Sequence, residues 1–327
     1  MDYPLVTLAI ITYRQERFIK ETLKGAISQD YPNLEIVISD DSSPDDTFEI
    51  IRHFAETYNG PHRLIINRNN LNLGLVGHVN KVLSELTHGE YVMLSGGDDI
   101  CLSDTISTAI RTLIDYGLNS VACNMIKIDG NSRMLGLFYD CRTDGVELYS
   151  LKDYIRNSFK TSGACRIFKR EIYKVFGPFL PECPTEDSPN LLRSFLYGGV
   201  GYLFRPNIMY RIHESNISGF VSLMTRFDPQ RIHSQYIHDL KTAFGRGLIC
   251  QSDYQLIEEK LTYWLKRQIA LREIYGKKTF LKRMVTALSV ALKKGFSLKD
   301  AKSYCLQVLG WRTIEAAKKY SDFSAEI

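Results

Sequence analysis

The sequence lacks the features that mark membrane-spanning, secreted and repetitive proteins. No apolar run approaches the 18 residues that a membrane-spanning helix needs, and no internal repeat or low-complexity tract is evident. No basic segment precedes the first apolar run, as one would in a secretory signal. The seven cysteines are odd in number and include no Cys-x-x-Cys spacing. These absences predict a protein of the reducing cytoplasm whose thiols are packing residues.

Charge is divided unevenly along the 327 residues. From Val221 to the end the chain holds 19 Lys and Arg against 10 Asp and Glu, a balance of +9, whereas the residues before it hold 22 against 27, a balance of −5. Such asymmetry indicates an anionic partner surface for the basic part. We therefore predict a main domain over residues 1–220, with halves at about 1–105 and 106–220, and a basic helical region over 221–327.

Strand and helix patterns alternate through the first 100 residues. Apolar, β-rich runs stand at 5–11, 34–39, 63–66 and 90–94, and amphipathic patterns fill the intervals at 17–28, 47–58 and 77–86. This alternation predicts βαβ units and a largely parallel sheet, whose ligands bind at the carboxyl ends of the strands. Further strands are expected at 121–128 and 199–210, with strand-like pieces between 154 and 170 and long helices from 228 onward.

Two acidic loops follow strands of the predicted sheet. Asp40 and Asp41 close one strand, and Gly96-Gly97-Asp98-Asp99 follows another. Each loop alone is explained as well by a solvated turn or a helix N-cap. At one edge of one sheet, however, paired carboxylates suit a divalent cation that is shared with substrate phosphates, and glycines let a diphosphate approach the backbone. Together the loops favour a nucleotide-diphosphate site.

The order of these pieces resembles the family 2 glycosyltransferases. The resemblance covers about residues 4–220, or two-thirds of the chain. It implies the GT-A fold, an α/β fold with a mainly parallel, mixed central sheet, followed here by a C-terminal helical region. The most specific stretch runs from Glu21 to Thr47 and contains Gln29-Asp30-Tyr31-Pro32. The other matching pieces are Val6–Arg14, Asn70–Gly74, Gly89-Glu90-Tyr91 and Ser95–Ile100.

The resemblance also implies roles for residues at the strand ends. Tyr13 is expected to stack near the base, and Asp41 to accept the N3–H of uracil or thymine. Asp98, with Asp99 beside it, is expected to bind Mn²⁺ or Mg²⁺ between the phosphates. The other implied nucleotide contacts are Thr12, Glu16, Asn72, Gly74 and Gly97, with Arg211 and His213 on the departing diphosphate.

A downstream acidic pair supplies the candidate base. The resemblance implies that Asp187, or alternatively Glu186, deprotonates the acceptor hydroxyl as it attacks the anomeric carbon. Considered without the resemblance, the pair is also explained as a helix N-cap, and His213 as a structural histidine. His78 and His88 are expected at the surface.

The function implied is that of an inverting glycosyltransferase. It would move a sugar from a UDP- or dTDP-sugar to a hydroxyl of a glycan or lipid-linked acceptor, as in bacterial surface polysaccharide synthesis. Gly96 stands where the family usually has an Asp, and Arg14 where it usually has an Asn. The first departure leaves a non-catalytic nucleotide-sugar or glycan-binding module as the alternative. A nucleotidyltransferase fits less well because the loop after the first strand, Thr12 to Glu16, contains no glycine.

An amphipathic pattern stands within the basic region at 280–294. Apolar residues at 280, 281, 284, 285, 288, 291 and 292 form one stripe with six Lys and Arg around it. Packing on neighbouring helices, or on a second subunit in a homodimer, is favoured over peripheral contact with the anionic inner face of a membrane. Nucleic acid is not expected as a partner because no reading motif accompanies the charge.

Overall fold

The structure, a computed structural model, describes residues 3–140, 145–161, 163–213, 227–277, 279–293, 296–297, 300–306 and 308–309. The chain divides into two units, residues 1–216 with 234–258 and residues 217–233 with 259–327. The first unit carries every residue that the sequence singles out for chemistry. The boundary predicted at residue 220 falls in 214–226, outside the described residues.

A ten-stranded mixed sheet forms the centre of the first unit. The strands in chain order are β1 (Val6–Thr12), β2 (Leu34–Asp40), β3 (Arg63–Arg68), β4 (Tyr91–Gly96), β5 (Ile100–Cys101), β6 (Ser120–Ile128), β7 (Met134–Leu137), β8 (Val146–Tyr149), β9 (Arg166–Lys169) and β10 (Val200–Arg211). The order across the sheet is β3-β2-β1-β4-β9-β6-β10-β5, with β7 paired to β6 and β8 paired to β10.

The first half of the sheet is parallel, as the alternating pattern predicts. β1 pairs with β2 and β4, and β2 pairs with β3. β1 and β2 are buried along nearly their whole length, which suits their continuous apolar runs. β3 lies at the edge of the sheet and exposes part of its length.

The second half continues in the same direction after one reversal. β9 lies antiparallel between β4 and β6, and β6 pairs parallel with β10. β6 and β10 therefore point the same way as β1, β2 and β4. The carboxyl ends of these five strands meet at one side of the sheet, which we call the carboxyl edge.

The segment from 154 to 170 differs from its prediction. Residues Leu151–Arg156 form a helix, and strand is confined to β9. A capping box starts the helix, because the side chains of Ser150 and Asp153 each bond to the other residue's backbone. This local signal starts a helix at Leu151, so the prediction of strand over the first part of the segment was wrong.

Ten α-helices are described. α3 is continued by a π-helical turn at Val82–Leu86. In the first unit, a fully buried ion pair joins α7 (Asp187–Tyr197) to α8 (Pro229–Gly245): Arg193 donates two hydrogen bonds to Asp239. The helices are α1 (Ile19–Ile27), α2 (Thr47–Thr57), α3 (Gly74–Lys81), α4 (Thr105–Asp115), α5 (Leu151–Arg156), α6 (Arg170–Phe176), α7 (Asp187–Tyr197), α8 (Pro229–Gly245), α9 (Gln251–Tyr275) and α10 (Phe280–Lys293).

The apolar stripe of α10 is split between core and solvent in the second unit. Phe280 and Met284 of the stripe are partly buried and pack against a core cluster that includes Ile274, Ala287 and Val290. Leu281 and Leu288 are exposed on the same helix. In the described part of the chain, no helix is both long enough and apolar enough to cross a membrane.

Candidate active site

The ends of β1 and β2 lie side by side at the carboxyl edge. The backbone N–H of Asp41 donates to the carbonyl of Thr12 at 2.9 Å, so Tyr13 directly follows a residue that touches Asp41. Thr12 is buried, and its hydroxyl donates to Asp40 at 3.1 Å. Asp40 also accepts hydrogen bonds from the backbone N–H and the hydroxyl of Ser43. Asp40 thus shapes the loop, and its neighbour Asp41 is the carboxylate left for a ligand.

One oxygen of the Asp41 carboxylate is fixed and the other is not. Its Oδ1 accepts from the Asn69 side chain at 2.8 Å and from the Leu73 N–H at 2.9 Å. Within the described residues, Oδ2 accepts no hydrogen bond. Asn72 donates to the main-chain oxygen of Asp41 and accepts from the N–H of Gly74, so both residues shape the loop around this carboxylate. A carboxylate held in this way can accept an N–H from a base.

Polar side chains of β2, β3 and α3 form hydrogen bonds with one another next to this loop. The Ser39 hydroxyl lies 2.7 Å from Nε2 of His78 and accepts from the Asn67 side chain at 2.8 Å. His78 is only 3% exposed, so its predicted surface position is wrong. Burial lowers the pKa of His78, and the nearby charge of Asp41 opposes that shift. His88, by contrast, is exposed as predicted.

The loop after β1 presents an aromatic ring to solvent. Tyr13 is 41% exposed, and the guanidinium of Arg14 lies 5.2 Å from its ring centre. Glu16 is exposed and accepts the backbone N–H of Asp46, the residue before α2. The structure therefore gives Glu16 a contact with the start of α2, and its predicted place beside the nucleotide stays a prediction.

The acidic loop, residues 96–99, is shaped by its two glycines. A Cβ at Gly97 would lie 2.1 Å from Oε1 of Gln15 and 2.6 Å from Cγ2 of Thr12, so no side chain fits there. A Cβ at Gly96 would lie 2.5 Å from Oδ1 of Asp98. The Asp98 side chain therefore occupies the space that an acidic side chain at position 96 would need.

The two carboxylates of the acidic loop have different surroundings. Oδ2 of Asp98 lies 2.9 Å from Nε2 of His213, and both side chains are partly accessible. Asp99 is buried and accepts the backbone N–H of Arg211 at 2.9 Å. Burial first and the charge of Asp98 second raise the pKa of Asp99 well above its usual range. The charge of Asp187 adds to this rise.

Arg211 is the buried cation beside the acidic loop. It is 1% exposed, and its Nε donates to the main-chain oxygen of Asp98 at 2.8 Å. Its predicted contact with a diphosphate stays a prediction.

The acidic pair at the start of α7 combines a buried and an exposed carboxyl. Glu186 is 8% exposed, makes no side-chain capping bond, and leaves Oε2 without a partner among the described residues. Capping therefore does not account for it. Burial, followed by the charge of Asp187, raises the pKa of Glu186 to about 8. Asp187 is exposed; desolvation raises its pKa and the charge of Arg166 opposes the rise.

Two further residues touch Asp187 and were missed in the sequence. Arg166 of β9 is buried, and its Nη1 donates to the main-chain oxygen of Asp187 at 2.9 Å. A Cβ at Gly163 would lie 2.3 Å from Oδ2 of Asp187, so glycine leaves room for the carboxylate. No local sequence pattern indicates either contact, because α6 separates Gly163 and Arg166 from Asp187 along the chain.

The comparison with known sequences agrees with this geometry. Residues 7–177, just over half of the chain, match the profile of glycosyl transferase family 2. The chain belongs to glycosyl transferase family 2. Escherichia coli WfaP, a UDP-Glc:alpha-D-GlcNAc-diphosphoundecaprenol beta-1,3-glucosyltransferase, is 36% identical over 107 residues, which are 33% of this chain and 40% of WfaP. The chain spans 40%, 34% and 46% of the length of three curated relatives, WfaP among them.

Solved structures confirm the GT-A fold expected for a family 2 chain. Residues 1–349 of Staphylococcus aureus TarS, in complex with UDP-GlcNAc, have a TM-score of 0.56 and 16% identity, over 90% of this chain and 93% of that one. The mannosyltransferase PcManGT of Pyrobaculum calidifontis, in complex with GDP-Man and Mn²⁺, has a TM-score of 0.57 and 19% identity, over 97% and 85%. At these identities the likeness shows the fold alone.

The side chains at this site that could ligate a metal suit a cation that binds together with the substrate. Among the described residues, no three His, Cys, Asp or Glu side chains converge as a metal site. Asp98 and His213 offer two donor atoms 2.9 Å apart. A small divalent cation commonly takes one or two ligands from the protein and the rest from substrate phosphates and water. The residues therefore fit a cation that is bound jointly with a diphosphate.

The buried carboxyl of Glu186 predicts a pH-dependent stability. Folding raises its pKa from the ordinary 4.5 to about 8, so its contribution to the free energy of unfolding is complete below pH 4.5 and is lost as the pH rises through 8. The charged groups that face it are Asp187 and Arg166. Glu186→Gln keeps the shape of the protonated acid. Relative to wild type, we expect its stability to increase by about 1 kcal/mol per pH unit between pH 5.5 and 7.5.

Urea unfolding at the two pH values measures this difference. Glu171→Gln, which removes an exposed carboxyl from α6, controls for the loss of a charge. A Glu186→Gln stability difference that stays constant from pH 5.5 to 7.5 would contradict the assignment.

Proposed function

We propose that the chain is an inverting glycosyltransferase that transfers a sugar from a nucleotide diphosphate to an acceptor hydroxyl. The observation that carries this proposal is the position of an exposed carboxylate, Asp187, at the carboxyl edge of the sheet. Arg166 donates to the main-chain oxygen of Asp187, and the next residue, Ile167, pairs with Met93 of β4, the strand that leads into the acidic loop. Direct displacement at an anomeric carbon needs a base for the acceptor and a place for the leaving diphosphate. In this proposal Asp187 is the base, and the acidic loop, with a cation, receives the leaving diphosphate.

The donor is a UDP- or dTDP-sugar. Uracil and thymine each present one N–H between two carbonyls, and Asp41 has one carboxylate oxygen, Oδ2, with no hydrogen bond within the described part of the chain. The exposed ring of Tyr13 supplies a stacking surface next to it. Asn69 fixes the other oxygen of Asp41 and so orients the acceptor atom.

The reaction is a single displacement. Asp187 accepts the proton of the acceptor hydroxyl while the hydroxyl oxygen forms a bond to the anomeric carbon. The bond from that carbon to the diphosphate oxygen breaks, and the electron pair leaves with the nucleoside diphosphate. A divalent cation, when bound, would neutralise charge on the diphosphate, and Asp98 and His213 would hold it. Glu186 keeps its proton near neutral pH, which spares Asp187 a second adjacent charge.

The acceptor is a hydroxyl of a glycan or a lipid-linked sugar, in the assembly of bacterial surface polysaccharide. WfaP, by its name, glucosylates a GlcNAc that is linked to diphosphoundecaprenol. TarS, by its name, adds GlcNAc to poly(ribitol phosphate). These two similar proteins act on polymer or lipid-linked acceptors, which supports the same class of acceptor for this chain.

A binding module without catalysis is the alternative function. Gly96 favours it because the acidic loop lacks one acid at that position. The exposed carboxylate of Asp187 favours catalysis, because a module that only binds has no use for a base beside the donor site.

The base assignment predicts the effect of Asp187→Asn. This change keeps the size of the side chain and removes its basicity, so we expect sugar transfer to fall by at least ~10²-fold. Binding of UDP should stay within a few fold of wild type. The measurement is UDP release from UDP-sugars with Mn²⁺ and a panel of glycan acceptors. Glu182→Gln, at an exposed position shortly before α7, is the matched control.

Two outcomes would contradict the proposed function. Unchanged transfer by Asp187→Asn would remove Asp187 as the base. A wild-type protein that binds UDP but releases none from UDP-sugars across the panel would support the binding module instead.

The exposed face of α10 is the proposed contact with an anionic membrane surface. Leu281, Val285 and Leu288 are each more than half exposed and share one side of the helix. The sequence from 276 to 299 contains seven Lys and Arg and no Asp or Glu. Exposed aliphatic residues flanked by cations suit the boundary between headgroups and acyl chains. This surface complements an anionic bilayer in both charge and polarity.

Vesicle sedimentation tests this surface. Wild type should sediment with vesicles of phosphatidylcholine and phosphatidylglycerol, and remain in solution with phosphatidylcholine alone or at high salt. The triple change Leu281→Ser, Val285→Ser and Leu288→Ser should abolish sedimentation, whereas Ile114→Ser, at an exposed position of α4, should not. A dimer that the triple change converts to a monomer would show instead that a second copy covers this face.

A further inference from the structure

Arg211 joins the acidic loop to the end of β10. Its backbone N–H donates to the Asp99 carboxylate, and its Nε donates to the main-chain oxygen of Asp98. One residue therefore bonds to both acids of the loop, once at a carboxylate and once at the backbone. The loop is also held at Gly97, whose N–H donates to the carbonyl of Ile11 and whose carbonyl accepts from the Thr22 hydroxyl, so Arg211 fixes the part of the loop that carries the two acids.

The other nitrogens of the guanidinium reach two further segments. Nη2 donates to the carboxylate of Glu21 on α1 at 2.6 Å. Nη1 donates to the Ser132 hydroxyl at 2.9 Å and to the main-chain oxygen of Asp129 at 3.3 Å, both in the turn between β6 and β7. Ser132 in turn donates to the same oxygen of Glu21 at 2.6 Å. Arg211, Glu21 and Ser132 thus form a closed triangle of hydrogen bonds.

An aromatic ring extends this arrangement to His213. The guanidinium carbon of Arg211 lies 4.8 Å from the centre of the Phe18 ring. The centre of the His213 ring lies 4.8 Å from the centre of the same ring. Phe18 is buried and contacts both residues. Arg211 therefore contacts the main chain of Asp98 directly and shares the Phe18 ring with His213, whose Nε2 lies 2.9 Å from Oδ2 of Asp98.

We propose that Arg211 is a positioning residue, which sets the acidic loop and His213 so that Asp98 and His213 face the same cation and diphosphate. At 1% exposure it acts through these groups and does not touch the donor. This role differs from the diphosphate contact expected from the sequence. It rests on the proposed function, because the cation and the diphosphate belong to that function.

Lysine cannot replace arginine in this role. A guanidinium is planar and donates in several fixed directions at once, whereas an ammonium is a single point charge on a flexible stem. In Arg211→Lys the positive charge and the backbone bond to Asp99 remain, but the side-chain bonds to Glu21, Ser132 and the main-chain oxygen of Asp98 cannot be made together. Changes to residues that orient metal ligands commonly weaken metal affinity by about 10- to 100-fold.

Calorimetric titration of UDP, with Mn²⁺ and with EDTA, tests the proposal without turnover. The ratio of the two Kd values measures how strongly the cation and the nucleotide support each other's binding. We expect Arg211→Lys to reduce this ratio about tenfold, while the Kd in EDTA stays within a few fold of wild type. Glu21→Gln, at a partly exposed position outside the loop, should reduce the ratio in the same direction, and it serves where Arg211→Lys fails to fold.

Arg193→Lys is the matched control. Arg193 is equally buried in the same unit and donates two hydrogen bonds to Asp239, so its change lowers the melting temperature without touching the acidic loop. Its ratio of Kd values should equal that of wild type.

Three results would overturn the proposal. An unchanged ratio in Arg211→Lys, with a melting temperature lowered as in Arg193→Lys, would leave Arg211 a purely structural role. An equal weakening of UDP binding with Mn²⁺ and with EDTA would indicate direct contact with the donor. A wild-type protein that binds no UDP under either condition would overturn the proposed function itself, and this inference with it.

Discussion

The site depends on holding several carboxylates close together where water is partly excluded. The acidic loop brings Asp98 and Asp99 together, and the start of α7 adds Glu186 and Asp187. Like charges at such distances raise each other's pKa, and burial adds to the effect, as Asp99 and Glu186 show. An arrangement of this kind is stable only with buried donors or cations around it. Arg211 beside the acidic loop and Arg166 beside α7 provide them.

The same constraint explains the division of labour between neighbouring acids. In each pair one carboxyl is buried and the other remains accessible: Asp99 with Asp98, and Glu186 with Asp187. Burial raises the pKa of the buried member in each pair, and the charge of the accessible member raises it further. The accessible members are the ones available to a cation or to an acceptor hydroxyl. Two glycines leave space for them, Gly96 beside Asp98 and Gly163 beside Asp187.

The parts of the molecule that the sequence predicted are those with local signals. Continuous apolar runs indicated the parallel strands, and the carboxyl ends of those strands indicated that Asp41 and the acidic loop would lie at the same edge of the sheet. Contacts between distant segments had no such signal. Arg166, Gly163 and the burial of His78 were missed because each depends on a partner from another element. The capping box at Ser150 was a local signal that the strand pattern outweighed.

In the proposed function, the carboxyl edge of the sheet is a pyrimidine nucleotide-diphosphate site that works with a divalent cation. Thermal shift of the full chain with UDP, dTDP and GDP, each with and without Mn²⁺, tests this proposal most directly. We expect stabilisation by UDP or dTDP that increases with Mn²⁺ and is lost in Asp41→Ala. Stabilisation by GDP alone, or none by any of the three, would contradict it.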